Sequence, residues 1–342
     1  MRLVTFDSRS GAERLGALFD GDSRVADLAE AHRLRIGAIS PHLVSMQALI
    51  EGGPAALDLA AAALEQARRA GAGVAPRADI RLRAPLPRPL QMRDFLCFEQ
   101  HLRNSFARAL DLYTAGAADP KQARAELEAS GRFSIPAVWY EIPIYYKCNR
   151  MAVIGPDEDV IWPRYAGVLD YELEFAAVIG VRGVDIPRER ALAHVFGYTI
   201  FNDISARDYQ MREMTGSLGP AKGKDFDTGN ILGPCIVTAD EIDPYALTMI
   251  ARVNGEEWSR GSSSTMHHRF EDCIAHVSQC ETIYPGEVLC SGTVGGGCGI
   301  ELGRMLSPGD VVELEVDKIG ILRNRIVKRG EGGSAQPRGG KA

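Results

Sequence analysis

The seven cysteines (Cys97, Cys148, Cys235, Cys273, Cys280, Cys290 and Cys298) nowhere form a CxxC pair. An odd count without that spacing disfavours both a disulfide framework and a zinc ribbon, and it leaves the thiols as small buried hydrophobes in a reducing cytoplasm. No run is long and apolar enough to span a bilayer, and Met1 to Gly11 carries Arg2, Asp7 and Arg9 where a signal peptide needs an apolar core. The formal charge is −6, and no Lys/Arg-dense stripe with interleaved aromatics offsets it. That disfavours a nucleic-acid partner and makes a small molecule the better one. HExxH is missing. The loop from Gly219 to Gly223 is one residue short of a Walker loop and has Asp225 where Ser or Thr is required, and the run Gly295, Gly296, Gly297, Gly299 lacks the glycine at 302 that a dinucleotide fingerprint needs. No internal repeat is present.

What is present is ordinary globular composition, 45% hydrophobic and 25% charged over 342 residues, longer than one compact core usually grows. Leu3 to Phe6, Leu15 to Phe19 and Arg24 to Leu28, the last two around an Asp20-Gly21-Asp22 turn, read as strands of a small amino-terminal β unit. Pro54 to Arg69 reads as a helix closed by Gly71 and Gly73. Pro-punctuated sequence from Arg77 to Pro89 reads as a linker, which sets the first unit at 1–85, the second at 86–329 and a disordered Gly-rich tail at 330–342. In the second unit, helices are predicted from Gln100 to Leu112 and from Pro120 to Ala129. Strands follow from Tyr171 to Val181, Tyr198 to Asn202 and Val311 to Val316, with a hairpin at Asn254-Gly255. The class is α+β, β-rich, with strands too irregularly joined for a doubly wound sheet.

Alternation along the strand from Tyr171 puts Glu172, Glu174, Ala176 and Val178 on one face and Tyr171, Leu173, Phe175, Ala177 and Ile179 on the other. Two acids about 7 Å apart on one face repel unless a cation sits between them, and a hard divalent ion with oxygen ligands answers that. The competing reading, a solvated strand face, fits ExE taken alone. Asn202-Asp203 ends another apolar strand ahead of Ser205, Ala206, Arg207 and Asp208, where Asp203 could equally cap a helix. The glycine-rich loop at Lys222 and Lys224 can bring backbone N–H groups and a cation to an anion, or can be a plain surface turn. His101 follows the apolar run Phe95 to Phe98 and opens the first predicted helix of the second unit. The other six histidines read as surface or satisfied core residues.

Four segments in this order, Leu169-Asp170-Tyr171-Glu172-Leu173-Glu174, Phe201-Asn202-Asp203-Ile204-Ser205-Ala206-Arg207-Asp208, Gly223-Lys224 and Ser291-Gly292-Thr293, resemble the fumarylacetoacetate hydrolase family. The resemblance runs from about Asp94 to Ile326, and the first unit is similar to the small amino-terminal domain of many members. It implies a mixed β-sheet roll and a divalent metal, Mg²⁺ with Mn²⁺ or Ca²⁺ as substitutes, held by Glu172, Glu174 and Asp203 with Asp94 as a fourth ligand. It further implies His101 as the catalytic histidine, Glu301 as the carboxylate that orients it, Lys224 beside the metal, and Gln210, Thr293 and Arg207 toward substrate. A homodimer is also implied. The sequence departs from the family in two ways: Asn104 stands where many smaller members carry the acid of a His-x-x-Glu pair, and Leu96 replaces a substrate-facing tyrosine of fumarylacetoacetase.

The implied chemistry is cleavage or rearrangement beside a carbonyl, in which an enolate is stabilised by the cation and by Lys224. In the hydrolytic version His101 takes a proton from water and a C–C bond of a 1,3-diketo acid, of acylpyruvate or fumarylacetoacetate type, is cleaved. Decarboxylation, hydration or tautomerisation of a 2-oxo acid on the same scaffold is the alternative. From another class, a binding protein with a structural metal would have lost His101 or Lys224, and both are present.

Overall fold

The computed structural model describes residues 1–8, 11–131 and 133–328, so the tail expected to be disordered lies outside the described residues. Four strands belong to the first unit: β1 (Arg2–Asp7), β2 (Glu13–Phe19), β3 (Arg24–Asp27) and β4 (Val74–Pro76). The β2–β3 turn takes positive φ at Asp20, Gly21 and Asp22 (52°, 64° and 65°), a conformation that Gly and Asp tolerate best. β3 stops at Asp27 because that side chain accepts a hydrogen bond from the Glu30 N–H and starts helix α1 (Leu28–Ile36), which the sequence reading did not foresee. Helices α2 (Met46–Glu51) and α3 (Gly53–Ala70) follow; α3 has Pro54 in its first turn and ends at Gly71, φ 63°. Its alanines 56, 60, 63 and 67 line one face and are fully buried, small enough to let α1 pack closely.

The second unit adds β5 (Met92–Phe95), β6 (Tyr145–Lys147), β7 (Val153–Ile154), β8 (Asp159–Ile161), β9 (Leu169–Asp170) and β10 (Leu173–Ile179). They are followed by β11 (Val195–Asp203), β12 (Ser205–Ala206), β13 (Asn230–Thr238), β14 (Thr248–Val253) and β15 (Glu256–Ser262). β16 (Val288–Cys290), β17 (Val311–Val316) and β18 (Gly320–Val327) complete the set. One eleven-stranded sheet runs β4-β3-β2-β1-β13-β11-β10-β16-β5-β6, with β7 added to β13, and a five-stranded sheet runs β15-β14-β17-β18-β8. Parallel pairs (β16 with β5, β13 with β7, β18 with β8) among antiparallel ones make both sheets mixed.

The first unit is not a separate sheet, because β1 pairs with β13 through Arg2↔Val237 and Leu3↔Ile236. The proline-rich stretch is likewise packed rather than loose: the Arg83 N–H donates to the Thr5 carbonyl at 2.9 Å, and Leu82, Ala84 and Leu86 are buried. β10 shows how the layers are organised. Leu173, Phe175, Ala177 and Ile179 join the core shared with Met249 and Leu314 of the smaller sheet, while Ala176 and Val178 join Leu3, Ala17 and Ala60 of the first unit. The large sheet is therefore covered on both faces, each large apolar side chain contributing about 1.5–3 kcal/mol on burial. The hairpin at Asn254 (φ 53°) and Gly255 (φ 81°) has the two positive dihedrals of a type I′ turn. Three helices, α4 (Glu99–Thr114), α5 (Pro120–Ala129) and α6 (Ala137–Glu141), leave the sheet between β5 and β6. No helix among the described residues is long and apolar enough to cross a membrane.

Candidate active site

Four acids converge from neighbouring strands. Asp94 lies on β5, Glu174 on β10 and Asp203 at the end of β11, while Glu172 precedes β10 and forms an isolated bridge with Cys298. The ladder brings them level: Cys290 faces Asp94 on one side and Ala176 on the other, and Leu173 faces Asn202. One carboxylate oxygen from each of Asp94, Glu172, Glu174 and Asp203 lies within 4.8 Å of the others, and all four residues are buried. The solvated-face reading of the two glutamates is thereby set aside. Strand period fixes this arrangement, since a one-residue slip of β10 would turn both glutamates into the opposite, apolar core.

So dense a cluster needs positive charge. Like charges 4 Å apart cost on the order of 4 kcal/mol even at an effective dielectric near 20. Lys224 donates to Glu172 Oε2 at 2.7 Å and also to Asp203 Oδ2. Arg207 pairs with Glu172 Oε1 at 2.8 Å and donates through Nε to Asp170 Oδ2 at 2.8 Å. Burial alone would raise Glu172, but Lys224 and then Arg207 hold it well below the usual carboxylate range. Asp203 is pushed up to about 6 by burial, against the pull of Lys224. Burial raises Asp94 and Glu174 furthest, with Asp203 adding to Asp94 and Asp94 adding to Glu174. The two resident cations thus leave the acids undercompensated, and Asp94 Oδ1 and Asp203 Oδ1 are buried without a hydrogen-bond donor. All-oxygen donors with unsatisfied charge fit a hard divalent cation. Tyr146 OH donates to Asp203 Oδ2 at 2.7 Å, and the Gly292 N–H and Thr293 hydroxyl donate to Glu174 at 3.0 and 3.3 Å, orienting two of the acids.

His101 approaches from a different element, the first turn of α4. Its Nδ1 lies 2.7 Å from Glu301 Oε1 on the short helix α9 (Gly299–Leu302). Glu301 Oε2 accepts from Asn104 Nδ2 and from the Gly296 N–H, both at 2.7 Å, and the Cys298 thiol lies 3.2 Å from Oε1. Burial would raise the Glu301 carboxyl, but the His101 hydrogen bond and the Gly296 and Asn104 donors hold it below the usual range. An ionised Glu301 only accepts, so the hydrogen between them sits on His101 Nδ1, and in the neutral ring Nε2 then carries the lone pair. The backbone bridge between Glu172 and Cys298, whose thiol lies 3.2 Å from Glu301 Oε1, ties the two clusters into one site.

Other predicted residues are also placed. Arg207, opening α7 (Arg207–Met214), is buried and committed to acids, and it donates to Gln210 Oε1 at 2.9 Å. Thr293 faces Glu174. Sequence reasoning gave no role to Asp170, which is fully buried and accepts from Arg207 and from the Gly299 and Ile300 N–H groups, fixing α9 and therefore Glu301. It stands inside the Leu169–Glu174 motif, which was signal enough. Tyr146 carried no signal at all. The Gly-rich loop proves to be an occupied nest: the N–H groups of Ala221, Lys222 and Gly223 all donate to Glu213, which rigidifies the approach to Lys224.

A family model described as fumarylacetoacetate (FAA) hydrolase C-terminal matches residues 93–327. Oxaloacetate tautomerase FAHD2A, mitochondrial, of Homo sapiens is 40% identical over 187 residues, covering 54% of this chain and 59% of that protein. Oxaloacetate tautomerase fahd2, mitochondrial, of Xenopus laevis is 31% identical over 331 residues, covering 96% of this chain and 90% of that protein. Among solved structures, the fumarylacetoacetate hydrolase of psychrophilic Exiguobacterium antarcticum superposes with TM-score 0.67 at 25% identity, covering 96% of this chain and 100% of that one. The 5-carboxymethyl-2-hydroxymuconate delta-isomerase of Mycobacterium smegmatis superposes with TM-score 0.65 at 26% identity, with the same coverage.

Proposed function

The chain belongs to the fumarylacetoacetate hydrolase family, and from that premise we propose that it is a divalent-metal-dependent enzyme that moves a proton next to the carbonyl of a 2-oxo acid of oxaloacetate type. The observation that carries the reading is the pairing of an undercompensated four-carboxylate cluster with a His101–Glu301 dyad whose free nitrogen can take a proton. Asp94, Glu172, Glu174 and Asp203 would hold the ion, with Mg²⁺ the first choice and Mn²⁺ or Ca²⁺ acceptable to the same oxygens. When bound, it supplies positive charge for the carboxylate and 2-oxo oxygens of the substrate as negative charge develops there. His101 Nε2 accepts the proton from the carbon beside the carbonyl and returns it to the oxygen, or the reverse. Glu301 steadies the imidazolium, and Lys224 adds charge beside the oxygens. Arg207, Gln210 and Thr293 shape the pocket wall. The names of the two tautomerase relatives favour this outcome over C–C cleavage.

The second reading is hydrolysis of an acylpyruvate or fumarylacetoacetate-type acid, favoured by one specific feature: the His101–Glu301 pairing equally suits removal of a proton from water. A homodimer in a reducing compartment such as the cytoplasm completes the proposal; six of the seven free cysteines are buried. The test is to supply oxaloacetate and an acylpyruvate to purified protein with Mg²⁺. Loss of the enol absorbance of oxaloacetate faster than without protein, with unchanged product mass, is expected. Acylpyruvate cleavage to two acids without tautomerase activity would install the second reading, and no effect on either would overturn both.

A further inference from the structure

Beside the four-carboxylate cluster lies a second constellation with different donors: His101 Nδ1, Cys298 Sγ and Glu301 Oε1, all within 4.8 Å of one another. We propose that it is an inhibitory site for a thiophilic divalent cation, Zn²⁺ above all. Nδ1 and Oε1 are 2.7 Å apart, Sγ and Oε1 3.2 Å, and Sγ and Nδ1 3.9 Å. Zinc bonds of about 2.0 Å to nitrogen or oxygen and about 2.3 Å to sulfur put a tetrahedral N···O pair about 3.3 Å and an N···S or O···S pair about 3.5 Å apart, so the Sγ–Nδ1 gap closes by about 0.4 Å, the Sγ–Oε1 gap opens by about 0.3 Å and the Nδ1–Oε1 gap opens most, by about 0.6 Å. Opening it is what an ion replacing the shared proton would do. One nitrogen, one sulfur and one carboxylate oxygen leave a fourth position for water, whereas the four acids nearby offer oxygen alone and suit a hard ion.

The surroundings favour a built site. Glu301 Oε2 is already held by Asn104 and the Gly296 N–H, so only Oε1 turns toward the thiol and the imidazole. Cys298 is anchored by its bridge to Glu172, and α9 is fixed by Asp170. The His101 side chain keeps 10% exposure, a face by which an ion arrives.

The proton inventory explains inhibition. In the resting dyad Nδ1 carries the hydrogen and Nε2 the free lone pair. When a cation binds Nδ1, the hydrogen there leaves to solvent and Nε2 takes one up through its own lone pair, so the ring stays neutral, and Cys298 releases its thiol proton to the solvent. No electrons are transferred, and one proton leaves per ion bound. The ring then has no nitrogen able to accept a proton, and turnover stops. This last consequence rests on the proposed role of His101; binding of the ion does not.

Co²⁺, a spectroscopic stand-in for Zn²⁺, titrated into full-length protein saturated with Mg²⁺ separates the two. The expected result is a thiolate-to-cobalt charge-transfer band saturating at one ion per chain, bleached by Zn²⁺, retained in Cys273→Ser and absent from Cys298→Ser. In parallel, Zn²⁺ should inhibit at least tenfold more potently in the wild type than in Cys298→Ser, each measured against its own zinc-free rate. No thiolate band, or a band that survives Cys298→Ser, overturns the site. A band without inhibition supports the site and removes His101 as the base. If Cys298→Ser does not fold, Glu301→Gln must weaken Co²⁺ binding at least tenfold, and unchanged affinity there overturns the proposal.

Discussion

The two halves of the candidate site are built in opposite ways. Three of the acids stand on β5, β10 and β11, where backbone ladders on both sides fix their height and direction, and Glu172 stands just ahead of β10. His101 and Glu301 stand on helices, joined to each other by a side-chain hydrogen bond and to the sheet through Asp170 and the Cys298 bridge. The strand-borne half carries an electrostatic load and resists deformation; the helix-borne half carries a single proton and depends on a handful of polar contacts. The difference teaches that charge was placed where the scaffold cannot yield, and the mobile proton where small shifts tune it.

That contrast can be broken most severely on the sheet side. Asp203→Asn or Glu172→Gln should abolish Mg²⁺ binding and turnover while circular dichroism stays unchanged; a calorimetric titration that still shows binding and normal rates would refute the ligand assignment. On the helix side, His101→Ala should keep Mg²⁺ affinity but lower kcat by about 10²- to 10⁴-fold, the usual worth of a positioned general base. Unaltered kcat would remove the histidine from the chemistry. Asn104→Ala should be milder, a decline of about tenfold in kcat with KM little changed, because one hydrogen bond to a charged group is lost. Asn104→Asp, which sets a second carboxylate against Glu301, should be worse than alanine, and equal rates for the two would deny Asn104 its positioning role.

The smallest expected effect concerns pH. In the metal-free chain Asp203 holds its proton up to about 6. Between the ordinary carboxylate range and that value the folded chain therefore binds a proton that the unfolded chain has released, and this group's contribution to stability falls as pH rises through the window. Mg²⁺ replaces the proton, so the rise in Tm on adding Mg²⁺ should grow from about pH 5 to about pH 7. A shift independent of pH would mean that Asp203 does not touch the ion.

The halves also differed in legibility. Period-2 alternation from Tyr171 put Glu172 and Glu174 on one face, and the structure shows the opposite face, Leu173 to Ile179, fully buried. Alternation is a local property, so one strand suffices to read it. The meeting of His101 with Glu301 spans two hundred residues, and no periodicity encodes it; the family resemblance supplied it. Helix α1 was missed because the apolar residues of Val25 to Ala29 read equally well as the end of a strand, and only the Asp27 cap, a contact between one side chain and the Glu30 N–H, decides between them. Tyr146 was invisible because its value lies in a partner, Asp203, far along the chain, and no motif pointed to it.

The pairing of β1 with β13 has a further meaning. β13 is also the neighbour of β11, so β1 lies two strands from the strand that ends in Asp203. Removing β1 would bare β13 at Ile236 and Val237, the end remote from Asn230, where β7 covers it, and so open an edge to foreign strands. Strands β1 to β4 thus extend the sheet that carries the acids, and an evolutionary exchange of this segment would have to preserve its seam with β13 before anything else.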